Sequence, residues 1–282
     1  MKVLILGGDG MLGHMAVKYF KSKGHLVFST TRSPSMGEDQ IYLDVLDKDF
    51  SLQRIVNDGL PLDWRPDYIV NCIGVIKPYS EVNIENTIFI NSMFPHILAR
   101  QGEECGIKVI HITTDCVYSG FEGSYNEASK FDPLDIYGKT KSLGEPKNCF
   151  VLRTSIIGPE KKGRLSLLEW FFQQDGKEVN GFDNHFWNGL TTLECSKVIE
   201  QIMEEGLFEN GTKHIFSTTV SKFDMLNEFK NVYGTNIKIN KISTKDKLDR
   251  TLTTTNHGFL NKLKILSFRE MVSEMKEFYE KN

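Results

Sequence analysis

The chain has 282 residues, 40% of them hydrophobic and 25% charged, with a formal net charge of −3. Such a chain can bury a substantial core, and its near-neutral charge gives no basis for a nucleic-acid partner or an anionic membrane surface. Its five cysteines (Cys72, Cys105, Cys116, Cys149 and Cys195) form no C-x-x-C pair, so neither a zinc site nor a disulfide framework is expected and no metal is assigned.

The first element is an apolar run at 3–6, too short for a signal-peptide core, and no later stretch approaches the length of a membrane span; a cytoplasmic protein is expected. This run enters Gly7-Gly-Asp-Gly10-Met-Leu-Gly13 and then a helix-periodic segment at 11–23. A strand, a G-x-x-G-x-x-G turn and a helix in that order form a dinucleotide site. Gly7 takes the sharp turn, Gly10 lets the backbone approach a pyrophosphate, and Gly13 allows close helix packing, while the free N–H groups at Met11 and Leu12 point at the phosphates. The second strand, starting at 25, ends in Phe28-Ser-Thr-Thr-Arg32. No acid stands there to bind a ribose 2′-hydroxyl, and the Arg32 fork suits a 2′-phosphate, which favours NADPH, with NADH as the alternative.

Strand-like runs at 68–73, 109–113 and 150–152 then alternate with helix-like segments at 47–58, 84–104 and 135–146; Pro95 should kink or break the long one. The alternation predicts an α/β fold, a doubly wound parallel sheet of Rossmann type. After Arg153 the texture changes, through a basic loop carrying Lys161, Lys162 and Arg164, an apolar helix at 165–174 and a polar, aromatic loop at 181–189. Helices are expected at 192–205, 221–233 and 267–280, with short strands near 214–217 and 236–240. The resulting organisation is a dinucleotide-binding domain over 1–155 and a smaller substrate lobe over 156–282, with 190–220 folding back onto the first.

Tyr137-Gly-Lys-Thr-Lys141 places a phenol and an ammonium one helical turn apart, and a nearby ammonium favours the phenolate. Tyr19 and Lys23 repeat the spacing and are expected to be surface decoration on the first helix. Tyr137 differs because it follows a strand ending in His111-Ile-Thr-Thr114-Asp115, which brings hydroxyls to the carboxyl edge of the sheet, where open α/β sheets bind ligands.

With these motifs in order, together with Asn71-Cys72-Ile73-Gly74, Asn91, Thr114-Asp-Cys-Val-Tyr118, Asn126-Glu127 to Pro133 and Leu152-Arg-Thr-Ser155, the chain resembles the extended short-chain dehydrogenases/reductases, within them the dTDP-4-dehydrorhamnose reductase-like group. The resemblance covers most of the chain. It implies a catalytic triad of Thr114, Tyr137 and Lys141, with Thr113 as the rival hydroxyl, and Asn71 and Asn91 shaping the cofactor side. Asp44 and Val45, past the third strand, would border the adenine, although an aspartate there can equally serve a turn. The implied activity is NADPH-dependent reduction of the 4-keto group of a nucleotide-linked 4-keto-6-deoxyhexose, supplying a deoxysugar for surface polysaccharide. In it Tyr137 gives a proton, Thr114 a hydrogen bond, and Lys141 lowers the tyrosine pKa and holds the nicotinamide ribose.

For the nucleotide-diphosphate sugar, Asp115 joins Thr114 and Tyr137. His185, Trp187 and Asn188 could line the sugar or base, Lys161, Lys162 and Arg164 could neutralise the diphosphate, and Arg250 matches a family arginine near the nucleotide. Some reductases of the group carry a metal-binding glutamate where this chain has Met15, so a metal-bridged dimer is not carried over; a homodimer is the default on symmetry grounds. Cys116, where a 4,6-dehydratase would carry glutamate, points to reduction over elimination. An epimerase of the same fold and a non-catalytic NADP-binding regulatory subunit, a type of protein found in this group, are the alternatives.

Overall fold

Val3 and Ile5 belong to one apolar cluster, Leu4 and Leu6 to another, and all four are fully buried, so the strand that carries them, β1 (Lys2–Leu6), is covered on both faces. The computed structural model, which describes residues 1–34, 37–47 and 50–281, does this with a parallel sheet between helical layers. In chain order β1 is followed by α1 (Met11–Ser22), β2 (Leu26–Thr31), β3 (Gln40–Tyr42), α2 (Leu52–Asp58), β4 (Tyr68–Asn71), α3 (Ile84–Ile88), α4 (Phe94–Cys105), β5 (Lys108–Thr114), α5 (Ile136–Ser142) and β6 (Phe150–Thr154). Then come β7 (Ile156–Ile157), α6 (Leu167–Phe172), β8 (Glu178–Phe182), β9 (His185–Trp187), β10 (Leu190–Thr191), α7 (Thr192–Glu204), β11 (Gly211–His214), β12 (Val220–Ser221), α8 (Lys222–Tyr233), β13 (Lys238–Ile242), β14 (Leu248–Asp249), α9 (His257–Leu260) and α10 (Phe268–Lys281).

The main sheet has seven strands in the order β11-β6-β5-β4-β1-β2-β3, every pair parallel. This is a Rossmann-like α/β fold. Chain order runs outward in opposite directions from β1, so a crevice opens at the carboxyl ends of β1 and β4, the switch point at which such sheets take ligands. β11 is the returning strand: it adds to the edge at β6 after α7 has packed against α1. The remaining segments build three small sheets, β10 with β7, β13 with β8 and β12-β9-β14; α8 packs on the last two, and α10 on α8, α7 and β10.

Several expectations shift. The local break expected at Pro95 falls just ahead of it: a π-helical turn (Phe89–Met93) interrupts the segment between α3 and α4, and Pro95 sits in the first turn of α4, where Pro is favoured. The helix expected at 47–58 shortens to α2, capped by the Ser51 side chain accepting from the Arg54 N–H; positions 48 and 49 lie outside the described residues. The stretch read as a loop at 181–189 contains β9 and the end of β8, since β12, β13 and β14 supply backbone partners that local sequence does not reveal. The strand expected near 214–217 ends at His214. Tyr19 is no surface decoration: it is 6% exposed and donates its hydroxyl to Glu200 of α7 at 2.5 Å, because α7 covers that face of α1.

Candidate active site

The glycine turn is built by close approach. Gly7 adopts φ +82°, and its N–H donates to the Thr30 hydroxyl at 2.9 Å. A Cβ on Gly13 would stand 2.1 Å from the Gly7 carbonyl oxygen, so the start of α1 reaches the turn only with glycine there. At Gly10 the added atom would meet only the same oxygen, at 3.4 Å, and otherwise open space. No side chain caps α1, so the N–H groups of its first turn remain for a ligand. Open backbone beside a bare twelve-residue helix start fits a pyrophosphate.

The segment after β4 leans on this turn, with Ile73 Cγ1 3.0 Å from where a Gly7 Cβ would be. Asn71, fully buried, accepts from the Ile73 N–H at 3.1 Å and contacts His111 Nδ1 at 3.0 Å. Asn91, on the π-helical turn, accepts from the Val75 N–H at 2.8 Å and donates to the Val75 carbonyl and to Thr140 Oγ1. Residues 71–75 are thereby held between the glycine turn and α5, with Cys72 and Gly74 in that wall. Asp44 accepts from the Leu46 N–H at 3.0 Å, as a turn residue does, and Val45 is 4% exposed within the core.

α5 begins where Asp135 accepts from the Gly138 N–H at 2.8 Å, a cap recognisable in the sequence that sequence reasoning missed. Two residues later α5 brings Tyr137 beside Thr114, at the end of β5, close enough for the threonine hydroxyl to act on the phenol. Thr114 Oγ1 also accepts from the Cys116 N–H and donates to Asp115. Thr113, the rival hydroxyl, is buried and makes no hydrogen bond among the described residues. Lys141, 5% exposed, donates to the Ile112 carbonyl at 3.0 Å, and its Nζ lies 3.8 Å from a Cβ placed on Gly74, on the cofactor side of the crevice.

Burial dominates the electrostatics. It pushes the Tyr137 phenol above the ordinary tyrosine range, reinforced by Cys116 and opposed by the Thr114 hydroxyl. It pulls Lys141 down to about 8, opposed by Glu145. Lys141 is not among the largest influences on Tyr137, and its ammonium is turned to the Ile112 carbonyl. The phenol is neutral at pH 7 and ready to donate a proton. Asp115 is raised by burial against the pull of Arg250, and Cys116 is pushed up to about 12, so it is a neutral thiol.

On the other side of the crevice Arg250 Nε donates to the Tyr118 carbonyl at 2.9 Å, held there by the pairing of Tyr125 with Leu252. Thr114, Asp115, Tyr137 and Arg250 thus come together. His185, Trp187 and Asn188 do not join them. The His185 ring lies 4.5 Å from that of Phe182 and bonds Thr244, and Trp187 packs edge-on against Phe268 at 5.6 Å. The Asn188 carboxamide donates to the Leu252 carbonyl at 2.8 Å and accepts from its N–H at 2.9 Å, holding the strand segment beside the site. Lys161 and Lys162 reach Asp9 in the glycine turn, away from Arg250. Arg32 is exposed, with no polar partner among the described residues. Two clefts, of about 680 and 650 Å³, lie elsewhere: one lined by Met1, Arg65 and Lys108, the other by Phe50, Phe89 and Met93.

A family model described as RmlD substrate binding domain matches residues 1–261. The chain belongs to that family. Among curated relatives of this RmlD-family chain, the spore coat polysaccharide biosynthesis protein SpsK of Bacillus subtilis is 29% identical over 165 residues, covering 55% of this chain and 53% of that protein. Methionine adenosyltransferase 2 subunit beta of Rattus norvegicus is 30% identical over 242 residues, 79% of this chain and 70% of that one. The chain spans about half the length of several curated relatives it matches, 41% for the Xenopus tropicalis subunit beta. The dTDP-4-dehydrorhamnose reductase of Bacillus anthracis, solved in complex with NADP, shares the fold at a TM-score of 0.79 and 20% identity, over 100% of this chain and 99% of that one. No helix among the described residues is long and apolar enough to cross a membrane.

Proposed function

We propose that this chain reduces the 4-keto group of a nucleotide-linked 4-keto-6-deoxyhexose with NADPH, NADH being the alternative reductant. The observation that carries the reading is the juxtaposition of the Tyr137 phenol and the Thr114 hydroxyl at the carboxyl edge of the sheet, with the Lys141 ammonium beside Gly74 on the cofactor side. A reduced nicotinamide, when bound, supplies the hydride. Gly7, Gly10 and Gly13 with the N–H groups at Met11 and Leu12 would cradle its pyrophosphate, and Asn71, Asn91 and residues 72–74 would shape the wall against it.

Tyr137, neutral at pH 7, gives its proton to the carbonyl oxygen as that oxygen gains charge, and Thr114, its hydroxyl proton turned from Asp115, donates a hydrogen bond to the same oxygen. Lys141 holds the ribose hydroxyls and, once drawn off the Ile112 carbonyl, stabilises the phenolate left behind. Arg250, next to Asp115, balances charge on the nucleotide diphosphate. Ketone, hydride and proton give the alcohol with no other reactant. A role in making a deoxysugar for surface polysaccharide is consistent with the similarity to SpsK. Tyr137→Phe should lower NADPH oxidation with a keto sugar at least a thousandfold while nucleotide affinity stays within about twofold; near-normal turnover would remove the assignment.

A second reading, a non-catalytic NADP-binding subunit of a larger assembly, is favoured by the 30% identity over 79% of the chain to the rat subunit beta. Tight NADPH binding with no oxidation by dTDP-, UDP- or GDP-linked 4-keto-6-deoxyhexoses would select it.

A further inference from the structure

Asp9, between Gly8 and Gly10, accepts a hydrogen bond from Thr31 Oγ1 at 2.6 Å, so its carboxylate sits at the carboxyl end of β2, where the chain continues into Arg32. An acid at that end of a dinucleotide fold by itself suits ribose hydroxyls and repels a phosphate on them. The loop after β7 counters it. Lys161 Nζ lies 2.9 Å from Asp9 Oδ1 and Lys162 Nζ 3.6 Å from Oδ2. Two cations thus face one carboxylate, and Arg32, directly after the Thr31 that holds Asp9, adds a third at the same strand end, a surplus of two positive charges where a 2′-phosphate carries about −1.5 to −2 at pH 7. The lysine side chains remain 51% and 66% exposed, so each ammonium keeps donors free for a further anion.

We propose that Lys161 and Lys162, carried over from the loop after β7, complete a 2′-phosphate site with Arg32 and decide the preference of this chain for NADP over NAD. The inference rests on the cofactor reading above and adds to it the residues that set specificity. Asp9 is the positioning residue: it holds the two ammonium groups over the glycine turn, on the side of the crevice opposite Arg250. Their task is therefore the cofactor's 2′-phosphate, and not the sugar-nucleotide diphosphate to which the sequence alone assigned them.

The test is calorimetric titration of the whole protein with NADP+, NAD+, 2′,5′-ADP and 5′-AMP, comparing wild type, Lys161→Gln/Lys162→Gln and Arg32→Gln, with circular dichroism to verify folding. The double lysine variant should lower the NADP+/NAD+ affinity ratio about tenfold, with NAD+ and 5′-AMP changed less than about twofold. Arg32→Gln should lower the ratio comparably, and raising salt should weaken 2′,5′-ADP more steeply in wild type than in the double variant. An unchanged ratio, an equal loss for NADP+ and NAD+, or a wild type that prefers NAD+ would each overturn the proposal. Wild type that binds none of the four nucleotides would instead overturn the cofactor reading itself.

Discussion

Lys141 is a buried cation whose removal should stabilise the protein while ending the proposed chemistry. Burial lowers its pKa from the ordinary lysine value of 10.5 to about 8, or about 3 kcal/mol held against the charged form at neutral pH. Methionine has nearly the same length and no charge. Subtracting about 1 kcal/mol for the lost hydrogen bond to the Ile112 carbonyl leaves Lys141→Met about 2 kcal/mol more stable at pH 7, or about 5 °C in Tm for a chain of this size. The sign follows from proton counting: between about 8 and 10.5 the unfolded lysine is protonated and the folded one is not, so the unfolded state binds more protons and wild-type stability rises with pH. Below about 8 the full penalty is present. The gap between variant and wild type should therefore be constant from pH 6 to 7.5, close near pH 9.5 and reverse by about 1 kcal/mol towards pH 10.5, read by thermal melts at several pH values. A variant less stable than wild type at pH 7, or a gap that does not move with pH, would refute the argument.

Two further substitutions test how the site is built. Gly13→Ala puts a carbon 2.1 Å from the Gly7 carbonyl, so turn and helix must part; we expect a loss of about 1–3 kcal/mol by denaturant titration and nucleotide binding weakened beyond detection, whereas normal binding would contradict the close-approach account. Asn188→Ala strips both partners from the Leu252 backbone and should cost about 2–4 kcal/mol of stability, with keto-sugar KM altered only through the loosened Arg250 segment. A large KM effect in a variant of unchanged stability would restore Asn188 as a direct sugar contact.

What could be read in the sequence was local. The glycine turn spans seven residues, and the strand-end placement of Thr114 and Tyr137 needs only the β-α order, so both are recoverable from spacing. The family was recoverable for the same reason, because its motifs are short and ordered. What escaped depends on distant partners. Tyr19 is buried because α7 returns across α1 181 residues later, and Lys161 meets Asp9 across 152 residues. β9 is a strand only because β12 and β14 flank it. The Lys141 shift was missed because a Y-x-x-x-K spacing fixes which residues share a helix face but not how deeply that face is buried, nor that the ammonium finds the Ile112 carbonyl.

The most direct test of the central claim uses NADPH deuterated at nicotinamide C4, incubated with the protein and a dTDP-linked 4-keto-6-deoxyhexose, with NMR of the sugar product. The account predicts stoichiometric NADPH oxidation and deuterium on sugar carbon 4 with wild type, and neither with Tyr137→Phe. Nucleotide bound tightly by wild type, with no deuterium reaching this sugar or its UDP- and GDP-linked counterparts, would contradict it.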